Sequence, residues 1–278
     1  MTSPIAIERG GHRTWLKWHR GRRRAGDPAF TGARILEGMA LGASVEVDLV
    51  IHADHGCAIL HNLSLEQETT GTGLVRQTSA AQLRQLHLRG EDGAPLADRV
   101  MLLEDLCALL TAHPPREGAL LQLDFKEDLA ALDPATVAGF SANIGPLSRY
   151  MIVSGGDFDA ISLLTQSTPM LKQGYDPCYG QSLARLQADG DHARFISEAL
   201  DTAPEADFIY LHHEIVLEAD RAGFDMIGAV HDAGRKVDAW TIKTVDSQSL
   251  PKVDRLLALK VDQITTDDPE GLAAALAS

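Results

Sequence analysis

Cysteine is scarce in this chain: its 278 residues include only Cys57, Cys107 and Cys178, with no C-x-x-C pair. Such an odd, widely spaced set indicates neither a disulfide framework nor a structural zinc site. The first ten residues lack the apolar core of a signal peptide, and no segment approaches 18 consecutive apolar residues. We therefore expect a cytoplasmic protein without integral membrane association.

Basic charge is scarce as well, since 25 Lys and Arg stand against 39 Asp and Glu, for a formal net charge of −14. This balance argues against generic binding to nucleic acid or to an anionic membrane surface. A small anionic substrate remains compatible, because a few local cations can invert the field inside a pocket. The basic run 22–24 is either a solvated loop or part of such a pocket.

The order of apolar segments predicts the fold. Strand-like runs alternate with helical patterns, which is typical of parallel β/α architecture. Strands are predicted at residues 14–18, 44–51, 119–124, 150–154, 169–173, 207–211, 235–241 and 262–265. Helices are predicted at residues 31–41, 103–112, 134–142, 158–166, 192–203, 216–232, 246–258 and 269–277. This count predicts an α/β protein with the (β/α)8 TIM-barrel fold; the alternative is a doubly wound open sheet, which no G-x-G-x-x-G or P-loop supports.

We predict a single domain over residues 1–278, because 45% hydrophobic and 23% charged residues suit one large core. The stretch at about 52–100 is too long for a strand-to-helix loop and contains its own strand and turn signals. We therefore predict a small insertion after the second strand. It would lie on the C-terminal face, where barrel enzymes carry their active sites.

Glu46 and Asp48 are two residues apart in a run typical of a strand, so both carboxylates point to the same face. Two like charges side by side repel, and a hard divalent cation that binds carboxylate oxygens relieves the repulsion. The pair therefore indicates a metal site. The alternative is a solvent-facing strand edge.

Histidines end two further strand-like runs. His19 is followed by Arg20, and His61 closes the run 57–60. Imidazoles at strand ends can act as general base and general acid, because they titrate closest to neutrality. The guanidinium of Arg20 suits a phosphate, which it can bind with two hydrogen bonds. Each histidine alone is also compatible with a structural role.

Later strands add further candidates at the same face. Asp124 and Lys126 offer a third oxygen ligand and a cation, unless they simply form an ion pair. Trp240 either walls the pocket or packs in the core. One histidine of the pair His212 and His213 is expected to face the mouth, and we take His212 as the one that contacts substrate.

These motifs together resemble the glycerophosphodiester phosphodiesterase family. Its pattern is H-R-G, then E-x-D, a histidine after the next strand, E-x-K and W-T. The corresponding elements are His19-Arg20-Gly21, Glu46-x-Asp48, His61, Asp124-x-Lys126 and Trp240-Thr241, and the likeness runs from about residue 14 to 270.

The resemblance implies a role for each matching residue. Glu46, Asp48 and Asp124 would hold one divalent cation, with His19 and His61 as the acid–base pair. Arg20 and Lys126 would neutralise the phosphate, and Trp240 would contact the organic part of the substrate. Ligation by oxygen alone favours Mg²⁺ or Ca²⁺ over zinc, with Mn²⁺ allowed.

Several positions depart from the family pattern. The usual P-E-N-T is Pro28-Ala29-Phe30-Thr31, H-D is His61-Asn62, and R-T-T is Glu68-Thr69-Thr70. Lys243 replaces an asparagine that often follows W-T-V. Asp124 is one methylene shorter than the family glutamate, as in the distantly related sphingomyelinase D-like phospholipases. These departures leave the alcohol part of the substrate open.

Three functions fit the sequence. The first is metal-dependent hydrolysis of a small soluble glycerophosphodiester or sugar phosphodiester, such as a compound of the agrocinopine kind. The second is a lysophospholipase D or sphingomyelinase D-like lipid phosphodiesterase, which would need an apolar rim or a targeting segment. The third is an inactive barrel that binds a phosphorylated ligand. Oligomeric state, the assignment of acid and base, and a cyclic phosphate intermediate are left open by the sequence.

Overall fold

A computed structural model describes residues 5–166 and 168–277. The strands are β1 (Ala6–Arg9), β2 (His12–Trp18), β3 (Ser44–Ile51), β4 (Cys57–Ile59), β5 (His87–Arg89), β6 (Pro95–Arg99), β7 (Leu120–Phe125), β8 (Met151–Gly155), β9 (Lys172–Tyr175), β10 (Phe208–His212), β11 (Lys236–Ile242) and β12 (Gln263–Thr266). The helices are α1 (Gly32–Leu41), α2 (Ala80–Leu83), α3 (Leu103–Ala112), α4 (Pro134–Ile144), α5 (Phe158–Thr165), α6 (Gly180–Asp189), α7 (His192–Thr202), α8 (His213–Arg221), α9 (Met226–Asp232), α10 (Ser249–Ala258) and α11 (Pro269–Leu276).

Eight parallel strands form a closed barrel, in the order β2, β3, β7, β8, β9, β10, β11 and β12. The β12–β2 and β2–β3 pairings close the ring. Strand β1 adds to β2 and β4 adds to β3, both antiparallel. The predicted (β/α)8 fold is therefore confirmed. The predicted single domain covers residues 1–278, of which residues 1–4, 167 and 278 lie outside the described part.

The barrel strands are buried on both faces, which is why their sequences are apolar with few interruptions. Every residue of β3 is buried, including Glu46 and Asp48. Helix α1 approaches this strand closely at Gly38, where an added Cβ would lie 2.6 Å from Cγ2 of Val45 and 3.2 Å from Trp18. Glycine at this helical position therefore sets how near α1 lies to the barrel.

A chain of polar side chains crosses the barrel interior beneath its C-terminal mouth. Lys17 is 1% exposed, and its Nζ lies 3.0 Å from Oδ2 of Asp238. A buried charge of this kind needs a paired and hydrogen-bonded environment. The chain of contacts runs in order through Thr265, Asp238, Lys17, Gln122, Ser154 and Asp124.

Three sequence predictions of elements need correction. The strand predicted at 169–173 is β9, Lys172–Tyr175. The helix predicted at 216–232 is two helices, α8 and α9, because Gly223 adopts a left-handed φ of 82° between them and Asp225 caps α9 through the N–H of Gly228. Helix α6 was not predicted: its mean hydropathy is low and Leu186 is its one fully buried side chain, so its apolar signal is weak.

The segment between β3 and α3 is longer than the other strand-to-helix connections around the ring. It contains β4, the short helix α2 and the hairpin β5–β6. Because β4 pairs antiparallel with β3, the segment begins by folding back along the barrel wall. None of the described helices has the length and apolar character needed to cross a membrane.

Two glycines in helix interiors provide a matched test of packing. At a helix position with free space around it, replacing glycine with alanine stabilises the protein by up to about 1 kcal/mol. We expect Gly139→Ala in α4 to follow this rule, since the nearest atom to the added Cβ lies 3.9 Å away. Gly38→Ala should instead lower the free energy of unfolding by about 1–3 kcal/mol through overpacking. Urea unfolding measures both; stabilisation by both substitutions would contradict the close packing of α1.

Candidate active site

The candidate site is a cavity of about 260 Å³ at the carboxyl ends of the barrel strands. The residues predicted from sequence that line it are His19, Arg20, Glu46, His61, Asp124, Lys126 and Trp240. The other lining residues are Lys17, Gln122, Asp176, Tyr179, Tyr210, Thr241, Lys243 and Thr265. Asp48 is buried beside this cavity, and His212 lines a neighbouring one.

Three carboxylates meet at the mouth of the barrel. Glu46 and Asp48 lie two residues apart on β3, and Asp48 is in register with Asp124 on the adjacent strand β7. One oxygen from each lies within 4.8 Å of the other two. This acidic group could hold a metal ion, because hard divalent cations bind several carboxylate oxygens at once.

The protonation of the carboxylates reflects their crowding. Burial, and then the charge of Asp48, raises the pKa of Glu46 well above its usual value. The pKa of Asp48 is lowered despite its burial, because Lys126 and Arg20 stabilise its charge. Without a bound cation, the basic side chains of the protein therefore neutralise the negative charge of the three carboxylates only in part. A cation would favour ionisation of all three carboxylates, so the residues fit a metal site.

Two basic side chains surround the carboxylates. The ammonium of Lys126 contacts Asp124 and lies 2.8 Å from Oδ1 of Asp48. Arg20 places its Nε 3.4 Å from Oδ2 of Asp48, and its backbone N–H donates to Glu46 at 2.7 Å. Arg20 adopts a left-handed φ of 54°, which turns the chain sharply after β2. The turn brings its guanidinium over the carboxylate group.

His19 is fixed by a partner from the far end of the chain. Its Nδ1 lies 2.6 Å from Oδ1 of Asp267, which follows β12. Arg22 also donates to this oxygen, at 3.0 Å. Burial lowers the pKa of His19, although Asp267 opposes this effect. With Nδ1 occupied, Nε2 is the nitrogen left for a ligand.

His61 lies after β4 in a loop held by Glu68. One oxygen of Glu68 accepts hydrogen bonds from the backbone N–H groups of His61, at 3.0 Å, and Asn62, at 2.8 Å. The other oxygen lies 3.9 Å from Arg20. Glu68 had no role in the sequence analysis, because nothing in its local sequence indicates that it holds the loop.

Aromatic rings form one wall of the site. Tyr179 stacks on Trp240 with ring centroids 6.0 Å apart, and His212 packs edge-on against the same indole, with centroids 4.9 Å apart. His212 also accepts a hydrogen bond from the N–H of Glu214 at the start of α8. The structure therefore places His212 in contact with Trp240 and in the wall of the neighbouring cavity. The indole Nε1 is buried without a hydrogen-bond partner among the described residues.

Asp176 and Tyr210 were not found from sequence. Asp176 follows β9, and burial raises its pKa to about 8. Tyr210 is 2% exposed on β10. Neither belongs to a recognisable motif: Asp176 stands before a proline in an ordinary turn sequence, and Tyr210 lies within an apolar run. Only the closed barrel brings them to the cavity.

The Glu68 contacts predict the behaviour of the His61 loop. We expect Glu68→Ala to speed hydrogen exchange at the amides of His61 and Asn62 about tenfold or more, because a hydrogen bond to a charged group is worth about 1.5–3 kcal/mol. Glu66→Ala is the matched control, since Glu66 accepts from the N–H of Gly73. Unchanged exchange at both amides in the Glu68 variant would contradict this anchoring role.

The chain matches one protein family and several solved structures. No curated protein sequence matches the chain. Solved structures match its fold: a protein from Agrobacterium tumefaciens proposed to be a glycerophosphoryl diester phosphodiesterase is 23% identical with a TM-score of 0.68, covering 95% of this chain and 96% of that one. A glycerophosphoryl diester phosphodiesterase from Parabacteroides distasonis is 16% identical with a TM-score of 0.68, covering 98% and 89%.

A third structure is an Oleispira antarctica phosphodiesterase in complex with its product sn-glycerol-3-phosphate, 20% identical with a TM-score of 0.65 and covering 95% of this chain and 96% of that chain. At these identities the structures show the common barrel. The sequence itself matches the Glycerophosphoryl diester phosphodiesterase family over residues 31–271. The chain therefore belongs to the glycerophosphoryl diester phosphodiesterase family and is a phosphoric diester hydrolase.

Proposed function

We propose that the protein hydrolyses a small soluble glycerophosphodiester or sugar phosphodiester to an alcohol and a phosphomonoester, with one divalent cation and two histidines. The observation that carries this proposal is the convergence of three carboxylates, two cationic side chains and two histidines at one end of the barrel, where all of them except Asp48 line one cavity. Carboxylates bind the cation, cations bind the phosphate, and imidazoles move protons.

Glu46, Asp48 and Asp124 would hold the cation. Mg²⁺ or Ca²⁺ suits this set because all of its ligands are oxygens, and Mn²⁺ is also allowed. When bound, the ion supplies a positive charge that polarises the phosphoryl oxygens and offsets negative charge developing during the reaction. Asp124 is held for this role by Ser154, whose Oγ donates to Oδ1 at 2.7 Å.

Arg20 and Lys126 would bind the phosphate. Lys126 contacts Asp48 and Asp124 in this structure, and its flexible stem lets the ammonium reach the phosphate once those carboxylates have another cation. Arg20 offers further N–H donors, and its buried Nε has no hydrogen-bond partner among the described residues. A phosphate oxygen would satisfy such a donor.

His19 and His61 would transfer the protons. Asp267 holds Nδ1 of His19, and Nδ1 of His61 lies 3.2 Å from Oδ1 of Asn62, so each ring has Nε2 left for the substrate. One histidine takes the proton of the attacking hydroxyl as the new P–O bond forms. The other gives a proton to the alcohol oxygen as the old P–O bond breaks. Water or a neighbouring substrate hydroxyl can serve as the nucleophile.

The surroundings of the cavity favour a soluble ester over a lipid. Beyond Lys126 a groove contains the half-exposed side chains of Leu63 and Tyr179. Charged side chains of both signs interrupt this apolar surface: Arg76, Glu127, Asp128, Asp157 and Arg185. An acyl chain in the groove would cover these charges and remove them from water, which is costly.

Cation binding can be tested without turnover. We expect Mg²⁺ or Ca²⁺ to raise the midpoint of thermal unfolding, and binding to release up to about one proton per ion, since Glu46 has a raised pKa without metal. Calorimetry in buffers of different ionisation enthalpy measures that proton. Asp48→Asn should abolish binding, and the exposed neighbour Asp128→Asn should retain it. Equal affinity of both variants would exclude this site.

The histidine roles can be tested by phosphorus NMR on a panel of glycerophosphodiesters, sugar phosphodiesters and lysophospholipids, with added cation and then with chelator. We expect chelator-sensitive conversion of one soluble class, and a loss of about 100-fold or more for His19→Ala and for His61→Ala. The exposed His113→Ala is the control. If the variants of His19 and His61 were as active as this control, the acid–base assignment would be wrong. Turnover of the lysophospholipids alone would favour the lipid phosphodiesterase.

A further inference from the structure

Asp176 presents a carboxyl group that the reaction described above does not use. It follows β9 at the mouth of the barrel, lines the same cavity as the histidines, and is 7% exposed. One oxygen accepts the backbone N–H of Cys178 at 2.8 Å. Within the described residues no cation lies at ion-pair distance from this carboxyl, in contrast to Asp48 and Asp124. A buried acceptor without a cation partner is suited to a neutral hydrogen-bond donor from a ligand.

Tyr210 presents a second unused polar group on the adjacent strand β10. The ring of Tyr210 lies against the backbone of Gly174 on β9. A Cβ added at Gly174 would lie 2.3 Å from Cε2 of Tyr210, so the ring fits there only because this position has no side chain. Nζ of Lys17 lies 4.4 Å from the ring centre. Tyr210 lines the cavity, and its hydroxyl is buried with no hydrogen-bond partner among the described residues. Leaving such a group unpaired is costly, and a hydrogen bond with a ligand hydroxyl would remove that cost.

The charges in the cavity determine which part of a phosphodiester these groups would meet. The phosphate is drawn to Arg20 and Lys126, which lie together beside the carboxylates of β3 and β7. Asp176 and Tyr210 add no cation to hold a phosphate oxygen. They therefore face the uncharged part of the substrate, which is the esterified alcohol.

We infer that Asp176 and Tyr210 bind a hydroxyl group of the alcohol that is remote from phosphorus, and so select polyhydroxylated alcohols such as glycerol or a sugar. The inference rests on the proposed function of this cavity. A carboxyl oxygen of Asp176 accepts a hydrogen bond from the substrate hydroxyl, and the phenol of Tyr210 donates a hydrogen bond to the hydroxyl oxygen or accepts one from the hydroxyl. The two are specificity-determining residues, because the bonds that form and break lie at phosphorus.

The test compares two choline phosphodiesters that differ in one hydroxyl, the ester of glycerol and the ester of propane-1,2-diol, both attached through the terminal oxygen next to the 2-hydroxyl. Both keep the 2-hydroxyl, so attack by a neighbouring hydroxyl remains possible in each. A site built to bind the missing hydroxyl rejects the analogue strongly. We expect the wild-type protein to prefer the glycerol ester in kcat/KM by about tenfold or more.

Two conservative variants assign this preference to residues. Asp176→Asn keeps an oxygen for the N–H of Cys178 and replaces the other oxygen, the proposed acceptor, with an amide NH2 group that can only donate. Tyr210→Phe removes one hydroxyl. Each should lower kcat/KM for the glycerol ester about tenfold and leave the propanediol ester within about twofold, so that the preference nearly disappears. Tyr210→Phe should also unfold at the same urea concentration or a higher one, because it removes an unpaired buried group.

Controls use the same substitutions at the opposite end of the barrel. Asp207→Asn and Tyr150→Phe, which precede β10 and β8, should keep the full preference. Loss of activity on both esters to the same extent in the Asp176 and Tyr210 variants would overturn the inference, as would a wild-type protein that does not distinguish the esters. Failure of the proposed function looks different, since the wild-type protein would then hydrolyse neither ester with any added cation.

Discussion

The repulsion among three carboxylates crowded at one end of a closed barrel is the constraint on which the rest of the site depends. Glu46 and Asp48 are buried on the same strand, and Asp124 joins them from the next. Burial alone would force such groups to take up protons. The cationic side chains of Arg20 and Lys126 prevent this for Asp48, while Glu46 keeps a raised pKa. A group of this kind could exchange the proton of Glu46 for a metal ion.

Neighbouring elements place the remaining groups around this cluster through long-range contacts. The left-handed turn at Arg20 directs its backbone N–H to Glu46, which ties the end of β2 to β3. Asp267, at the end of β12, holds the ring of His19. Glu68 then brings the His61 loop next to Arg20. Both histidines are thus fixed by carboxylates that do not belong to the group formed by Glu46, Asp48 and Asp124.

Sequence reasoning succeeded where the relevant geometry is local. The period of two along a strand put Glu46 and Asp48 on one face, and the alternation of strands and helices gave the barrel. It failed where a pairing joins distant segments. Asp267 lies 248 residues from His19, and no local pattern connects the two. The boundaries of β9 were missed for a related reason, since Lys172–Tyr175 is a short strand whose pairing with β8 and β10 is set by the ring.

The shorter side chain of Asp124 illustrates how the interior supports the mouth. An aspartate reaches less far than a glutamate, so its direction must be better fixed if it is to meet the same cation. Ser154 donates to one of its oxygens, and Gln122 donates in turn to Ser154. Gln122 accepts from the buried ammonium of Lys17, whose charge Asp238 balances. A polar chain anchored by a buried ion pair thus orients the carboxylate from beneath, and the pair is costly because two charges are removed from water.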